Sequence, residues 1–281
     1  MEAHNDNSNK PYIFRPEFGN EADIARLIGQ YKAYTQVVQL FSPHCQLKGA
    51  ETVLDIGCGP GCWAIDVAFQ YPAMSVIGLD VDESAVRYAM THATSSGHEN
   101  VTFEVYDVTT GLPFSDASVD YIHLSLANSF LLKSQWPPLL AECYRVLKPG
   151  GWLRSVEWLC TQTSSFAIFR MTQLFNLALA QDGRRYVELA PHLESLLKNA
   201  GLVPAPLIVH VVNFSENTPA HRTIAESYYV SALLSSPFIF KRGVASEEEI
   251  KRLIDETQRD MMLPGFYGLT TLTDIAAQKP V

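Results

Sequence analysis

A chain of 281 residues, 47% of them hydrophobic, can bury one large core, and α/β folds of this length are commonly a single domain. The formal net charge of −9, with no basic run longer than the pairs Arg184-Arg185 and Lys241-Arg242, argues against a nucleic-acid partner, which needs clustered Lys and Arg. No stretch reaches the ~18 uninterrupted apolar residues of a membrane span.

Residues 1–10 are polar and asparagine-rich, lack the apolar core of a signal sequence, and read as a disordered tail. Residues 11–48 read as a helical cover, with Ile24, Leu27, Ile28, Tyr31, Tyr34, Val38 and Phe41 at helical spacing. Residues 49–281 read as the core, interrupted by helical lid insertions near 163–190 and 217–262. Five cysteines (Cys45, Cys58, Cys62, Cys143 and Cys160) are odd in number and contain no second pair at zinc spacing. They read as reduced thiols of a cytoplasmic protein that holds no metal.

The most informative string is Val53-Leu54-Asp55-Ile56-Gly57-Cys58-Gly59-Pro60-Gly61. An apolar strand runs through Asp55, glycines follow at every second position, and Trp63-Ala64-Ile65-Asp66-Val67-Ala68 continues with helical spacing. Glycine is required where the backbone must turn tightly and let a ligand lie against it, and such a turn after a buried strand is where open α/β sheets bind nucleotides. A dinucleotide site wants a small residue at the sixth position from Gly57; that position is Cys62, which speaks against an NAD-dependent oxidoreductase.

With Asp55 two residues before the first glycine, the string resembles motif I of the class I S-adenosylmethionine (SAM) methyltransferases, Asp/Glu-x-Gly-x-Gly-x-Gly. The next strand, residues 75–79, ends on Asp80, at the spacing of an acid that accepts ribose hydroxyls, with Val81 beside the adenine. Residues 101–106 form a third strand ending at Asp107-Val108, where the resemblance implies an acid facing the adenine amino group. Strand four, residues 121–126, carries His123 and Ser125. The helix after it stops at Lys148-Pro149-Gly150-Gly151, since proline cannot continue a helix and glycine caps it. Arg145-Val146-Leu147-Lys148-Pro149-Gly150-Gly151-Trp152 is similar to the family's lead into strand five, expected over 152–158. Residues 191–202 resemble its late helix, 207–214 form a long strand, and 266–280 resemble its closing strand.

The likeness is strongest over residues 51–201. Tyr12, the string Ile24-Ala25-Arg26-Leu27 with Gln30, and Tyr121-Ile122-His123 look like the small-molecule branch that includes LaeA-like proteins. It implies a doubly wound, Rossmann-like α/β fold with seven strands, the seventh antiparallel, and SAM as cofactor. By the same resemblance Asp55, Gly57, Gly59, Gly61, Asp80, Val81, Asp107, Val108 and Ser125 contact the cofactor, and Gln30 and Tyr31 close over it.

Substrate information must come from what is added to that core. Residues 166–180 are apolar nearly all round and so should bury more than one face. With Tyr228 and Tyr229 they form an aromatic lid, read as a packing core, a homodimer face, or an apolar pocket lined by Phe166, Phe169, Met171, Phe175, Tyr228 and Tyr229. The preferred substrate is a small, largely apolar molecule. His123, near the end of strand four, and Glu157, at the end of strand five, are the candidate general bases, each with a structural alternative: a sheet-interior histidine and a helix-capping acid. A SAM-binding enzyme that transfers no methyl, such as a cyclase, and a non-catalytic regulator of the same fold carry the same cofactor residues.

Overall fold

The structure, a computed structural model, describes residues 20–49, 51–183 and 185–281. The 1–10 tail, Tyr12, the start of the 11–48 cover and Arg184 lie outside the described residues.

Strands β1 (Thr52–Ile56), β2 (Ser75–Asp80), β3 (Val101–Val105), β4 (Val119–Ser125) and β5 (Leu147–Thr163) run parallel. Both faces of β1 are covered, so its sequence is a nearly continuous apolar run rather than an alternation. Neighbouring residues serve opposite layers. Leu54 packs with Leu139, Leu140 and Cys143 of helix α4 (Trp136–Val146), while Val53 packs with Trp63, Ala64 and Val67 of helix α2 (Cys62–Gln70). Helix α3 (Glu83–Ser95) completes the second layer; Asp82 caps it by accepting from the Ser84 and Ala85 amides.

With β6 at Val203–Pro204 and β8 at Gly268–Gln278, the sheet order is β3-β2-β1-β4-β5-β8-β6, so the winding reverses between β1 and β4. Carboxyl ends of strands at such a reversal leave a crevice that nothing else in the sheet fills. Asp55 and His123 are register partners across it.

The closing strand β8 (Gly268–Gln278) lies antiparallel to β5, as expected. The sheet nonetheless has eight strands rather than seven, because the position beyond β8 is split into β6 (Val203–Pro204) and β7 (Ile208–Asn213), both paired with β8. Strand β5 is also far longer than the expected 152–158: its pairing with β8 continues to Thr163. Its start absorbs the Lys148-Pro149-Gly150-Gly151 turn as an irregularity against β4. A Cβ on Gly151 would meet the Lys148 and Asp120 carbonyl oxygens at 2.9 and 3.0 Å, so only glycine fits.

Helix α1 (Asn20–Tyr34) forms the cover, α6 (Ala190–Asn199) packs beside α4, and helices α5 (Phe166–Asp182), α7 (His221–Lys241) and α8 (Glu247–Asp260) build the lid. Ser246 caps α8 above Glu247, Glu248 and Glu249, whose charges suit a helix N-terminus, and Ile250, Leu253 and Ile254 turn inward. The expectation that α5 buries more than one face is corrected. Ala167, Ile168, Met171, Leu174 and Ala178 are buried, but Phe166 and Phe169 are 65% and 48% exposed because α7 and α8 cover one side only.

Candidate functional site

The glycine turn is built by backbone geometry. Gly57, Gly59 and Gly61 all take positive φ (71°, 51° and 74°), a region costly to residues with a Cβ. The amides of Gly57 and Cys58 both donate to the Leu79 carbonyl, tying the turn to the end of β2. Asp80 completes the tie: its Oδ2 accepts from the Gly59 amide at 2.8 Å and its Oδ1 from the Asp82 amide at 2.9 Å. Burial pushes the Asp80 carboxyl above its ordinary value, opposed by these two N–H donors.

Turn, cover and lid enclose one cavity of about 1730 Å³. Pockets for one small molecule usually occupy roughly 300–1,000 Å³, so this one has room for a cofactor and a second ligand. Asp55, Gly57, Gly59, Asp80, Val81, Asp107, Val108 and Ser125 line it, as do Gln30 and Tyr31 from α1. Gly61 does not. A Cβ there would meet Ala89 Cβ and the Phe103 ring at 2.7 Å, so this third glycine lets the turn pack on α3 and β3 instead of facing a ligand. Asp55 is fully buried on β1, and burial, with the neighbouring Asp80 charge, lifts its pKa to about 8. Asp107 accepts from the Thr109 amide and hydroxyl at 2.9 and 2.6 Å, which fixes its carboxylate at the end of β3. Tyr31 donates to Asp66 Oδ2 at 2.5 Å, and Gln30 donates to the Tyr34 hydroxyl at 3.0 Å, so both are held by partners of their own.

His123 sits in the wall at the β1–β4 reversal, stacked on Trp63 with ring centroids 4.0 Å apart. Burial, then the nearby Arg154 charge, drives its pKa well below the ordinary histidine value, so the ring is neutral; its Nδ1 is buried without a partner. Glu157 lies mid-strand, not at a strand end as expected, because β5 runs on to Thr163. Its Oε1 accepts from the Ala127 amide at 2.9 Å and the Ser155 hydroxyl at 3.2 Å. It thereby caps the 3₁₀ turn Ala127–Ser129 that follows β4, where Leu126 takes a positive φ of 52°.

Burial raises Glu157 from 4.5 to about 7 against those donors. A folded-state pKa above the unfolded one means the native protein retains this proton. The contribution is complete below about pH 4.5 and is lost as pH rises through about 7. Over that window it amounts to about 3 kcal/mol. The fall in Tm between pH 5 and 8 should therefore shrink by several degrees in Glu157→Gln, read by thermal melts; an unchanged fall would mean Glu157 is ionised in the fold.

Of the six expected substrate residues, Met171, Phe175 and Tyr228 line the cavity, whereas Phe166, Phe169 and Tyr229 do not. Phe166 and Phe169 face outward, and Tyr229 packs between the lid clusters. Two residues went unnoticed in the sequence. Arg154 is 1% exposed, binds Asp274 through both oxygens at 2.8 and 2.7 Å, and donates to the Gln39 and Leu40 carbonyls at 2.8 Å. It holds the segment after α1 against the sheet, helped by the Trp63 indole donating to the Leu40 carbonyl at 2.9 Å. The signal was a charge set in the interior of each of two strands, Leu153-Arg154-Ser155 and Thr273-Asp274-Ile275.

Comparison with known proteins bears on this site. Residues 53–151, which contain the turn, Asp80, Asp107, His123 and Ser125, match the family model described as a methyltransferase domain. The match runs from β1 to the start of β5. The secondary metabolism regulator laeA of Monascus pilosus is 31% identical over 118 residues, 42% of this chain and 29% of that protein. The methyltransferase pytC of Aspergillus terreus is 29% identical over 184 residues, 62% of this chain and 53% of that protein. The first relatives are thus matched over 26–53% of their own length. Two solved structures share the methyltransferase fold. The [4+2]-cyclase SpnF has a TM-score of 0.53 at 22% identity, covering 84% of this chain and 76% of that one. Haemonchus contortus phosphoethanolamine N-methyltransferase 2, with phosphomonomethylethanolamine and S-adenosylhomocysteine, has 0.51 at 18%, covering 91% and 52%.

The residues around the glycine turn fit SAM. The Gly57 and Gly59 cradle is open to the cavity, and Asp80 and Asp107 place fixed acceptors along its edge. Among the described residues no group of three or more His, Cys, Asp or Glu could hold a metal ion, and no helix is long and apolar enough to cross a membrane.

Proposed function

We propose that this protein transfers a methyl group from SAM to an oxygen, nitrogen or carbon atom of a small, largely apolar molecule of the secondary-metabolism type, in the cytoplasm. The observation that carries the reading is the single cavity whose one end is the glycine cradle and whose other walls are Met171, Phe175, Trp158, Leu234 and Phe238 of β5 and the lid. The name of laeA supports the metabolic setting, that of the methyltransferase pytC supports methyl transfer, and the five free cysteines support a reducing compartment.

Bound SAM supplies an electrophilic methyl on a sulfonium. The residues of this chain do the rest. Asp80 would accept the ribose hydroxyls while keeping its tie to the turn, Asp107 would accept from the adenine amino group, and Val81 and Val108 would hold the ring. Gln30 and Tyr31 close the near side from α1. Lid and cover exclude water and align the acceptor, which can contribute several kcal/mol by removing translational freedom. His123 would be the proton acceptor for a hydroxyl acceptor group, but burial and the Arg154 charge make it a weak base, so alignment of the acceptor carries most of the rate. Glu157 is spent on the Ala127 turn and acts as a positioning group, keeping Ser125 and Leu126 where the methionine end of the cofactor would lie.

The test is incubation of the purified protein with SAM carrying a labelled methyl and a panel of apolar hydroxylated, amino and olefinic acceptors. Label in a recovered product supports methyl transfer. Acceptor rearranged without label, the cofactor intact, would favour a cyclase. Cofactor bound with no acceptor changed would favour the regulator.

A further inference from the structure

Beyond the cofactor end, the cavity runs between the lid helices, and its lining sets a row of hydroxyls among apolar side chains. From α5 come Ile168, Met171 and Phe175, beside Thr172, and from α7 come Leu234 and Phe238. Helix α7 brings Ser227, Ser231 and Ser235, all lining the same cavity. Four-residue intervals put these hydroxyls on one face of the helix, spread over about 12 Å. Thr257 of α8 joins them. It is 1% exposed, and its Oγ1 is buried with no hydrogen-bond partner. Ser227 and Ser235 are each 5% exposed, and Ser235 has only a 3.4 Å contact to the Ala232 carbonyl one turn back.

A chamber for a purely apolar ligand gains nothing from these groups. A buried hydroxyl left without a partner costs about 1–3 kcal/mol, and alanine or valine would fill the same positions without that cost. We propose that the chamber selects an elongated acceptor whose apolar body packs on α5 and whose oxygen substituents, spread along one edge, are read by Ser227, Ser231, Ser235 and Thr257. The assignment deepens the methyltransferase reading and, as a statement about the acceptor, rests on it. It narrows the substrate class from apolar molecules to oxygenated ones, because a site built to hydrogen-bond a hydroxyl rejects the analogue that lacks it.

Equilibrium dialysis of the full chain, with and without S-adenosylhomocysteine, against flavone and its trihydroxylated counterpart apigenin tests this. Apigenin should bind at least about tenfold more tightly than flavone. In the triple variant Ser231→Ala, Ser235→Ala, Thr257→Val that ratio should fall to about threefold or less, mainly through apigenin, as expected when partners of ligand oxygens are removed. The variant's Tm should equal or exceed that of the parent, since under-satisfied hydroxyls leave the lid. Equal affinity of the parent for both probes, binding to neither included, would overturn the proposal. So would an undiminished ratio in the variant, or a fall in its Tm showing that the hydroxyls hold the lid together. Titration of the same protein with S-adenosylhomocysteine reads the other end of the cavity: loss of that binding alone would count against the methyltransferase reading and leave the chamber's selectivity in place.

Discussion

Asp80→Ala will weaken S-adenosylhomocysteine binding by about 30- to 1,000-fold, or roughly 2–4 kcal/mol. Two losses combine. The ribose hydroxyls lose a charged acceptor, and the glycine turn loses the carboxylate that accepts from the Gly59 and Asp82 amides. Asp80→Asn separates the two. It retains one carbonyl acceptor for the turn but makes a poorer bidentate partner for a diol, so it should keep most of the parent's Tm while losing much of the affinity. Calorimetric titration of both variants, with melts of each, makes the comparison. Unchanged affinity in Asp80→Ala would end the ribose assignment.

The largest stability effect belongs to a residue far less conspicuous in the sequence. Arg154→Met should cost about 3–5 kcal/mol, because it leaves the Asp274 carboxylate in the sheet interior without its bidentate partner. Burial alone would raise Asp274, but hydrogen bonds from Arg154 and His210 hold it below the ordinary carboxylate range, so at neutral pH it carries its charge. The remaining contact, His210 Nε2 at 3.0 Å, is a single bond. Loss of Arg154 also frees the Gln39 carbonyl and leaves that of Leu40 to the Trp63 indole alone, so the segment joining α1 to β1 should become accessible to protease. Restoring apolar packing on both sides, in Arg154→Met with Asp274→Leu, should recover much of the loss. A single variant that melts with the parent would show the pair to be dispensable.

What could be read from the sequence was what the backbone dictates locally. Asp55 through Gly61 demand a strand and a strained turn whatever surrounds them, and Asp80 and Asp107 follow at strand ends that hydrophobic runs delimit. Asp55, Gly57, Gly59, Asp80 and Asp107 meet on one cavity wall. Gly61 shows the limit: positive φ explains a glycine, but only the neighbouring Ala89 and Phe103 reveal that this one serves packing rather than a ligand. The lid was harder for the same reason. Phe166 and Phe169 share the apolar character of Met171 and Phe175, and nothing in α5 itself says which side α7 and α8 will cover. Strand β5 outran its expected end because its length is set by pairing with β8, more than a hundred residues later in the chain. Arg154 and Asp274 became meaningful only as partners across that ribbon, and Glu157 only when the Ala127 turn came to rest on it.

The most direct test of the account is calorimetric titration of the intact chain with S-adenosylhomocysteine, with NADH as control. Micromolar binding of the first and none of the second is the expected result, since the turn, Asp80 and Asp107 are placed to hold the adenosine it shares with SAM and Cys62 occupies the position a dinucleotide fold keeps small. A folded protein that gives no heat with S-adenosylhomocysteine, or that prefers NADH, would contradict it.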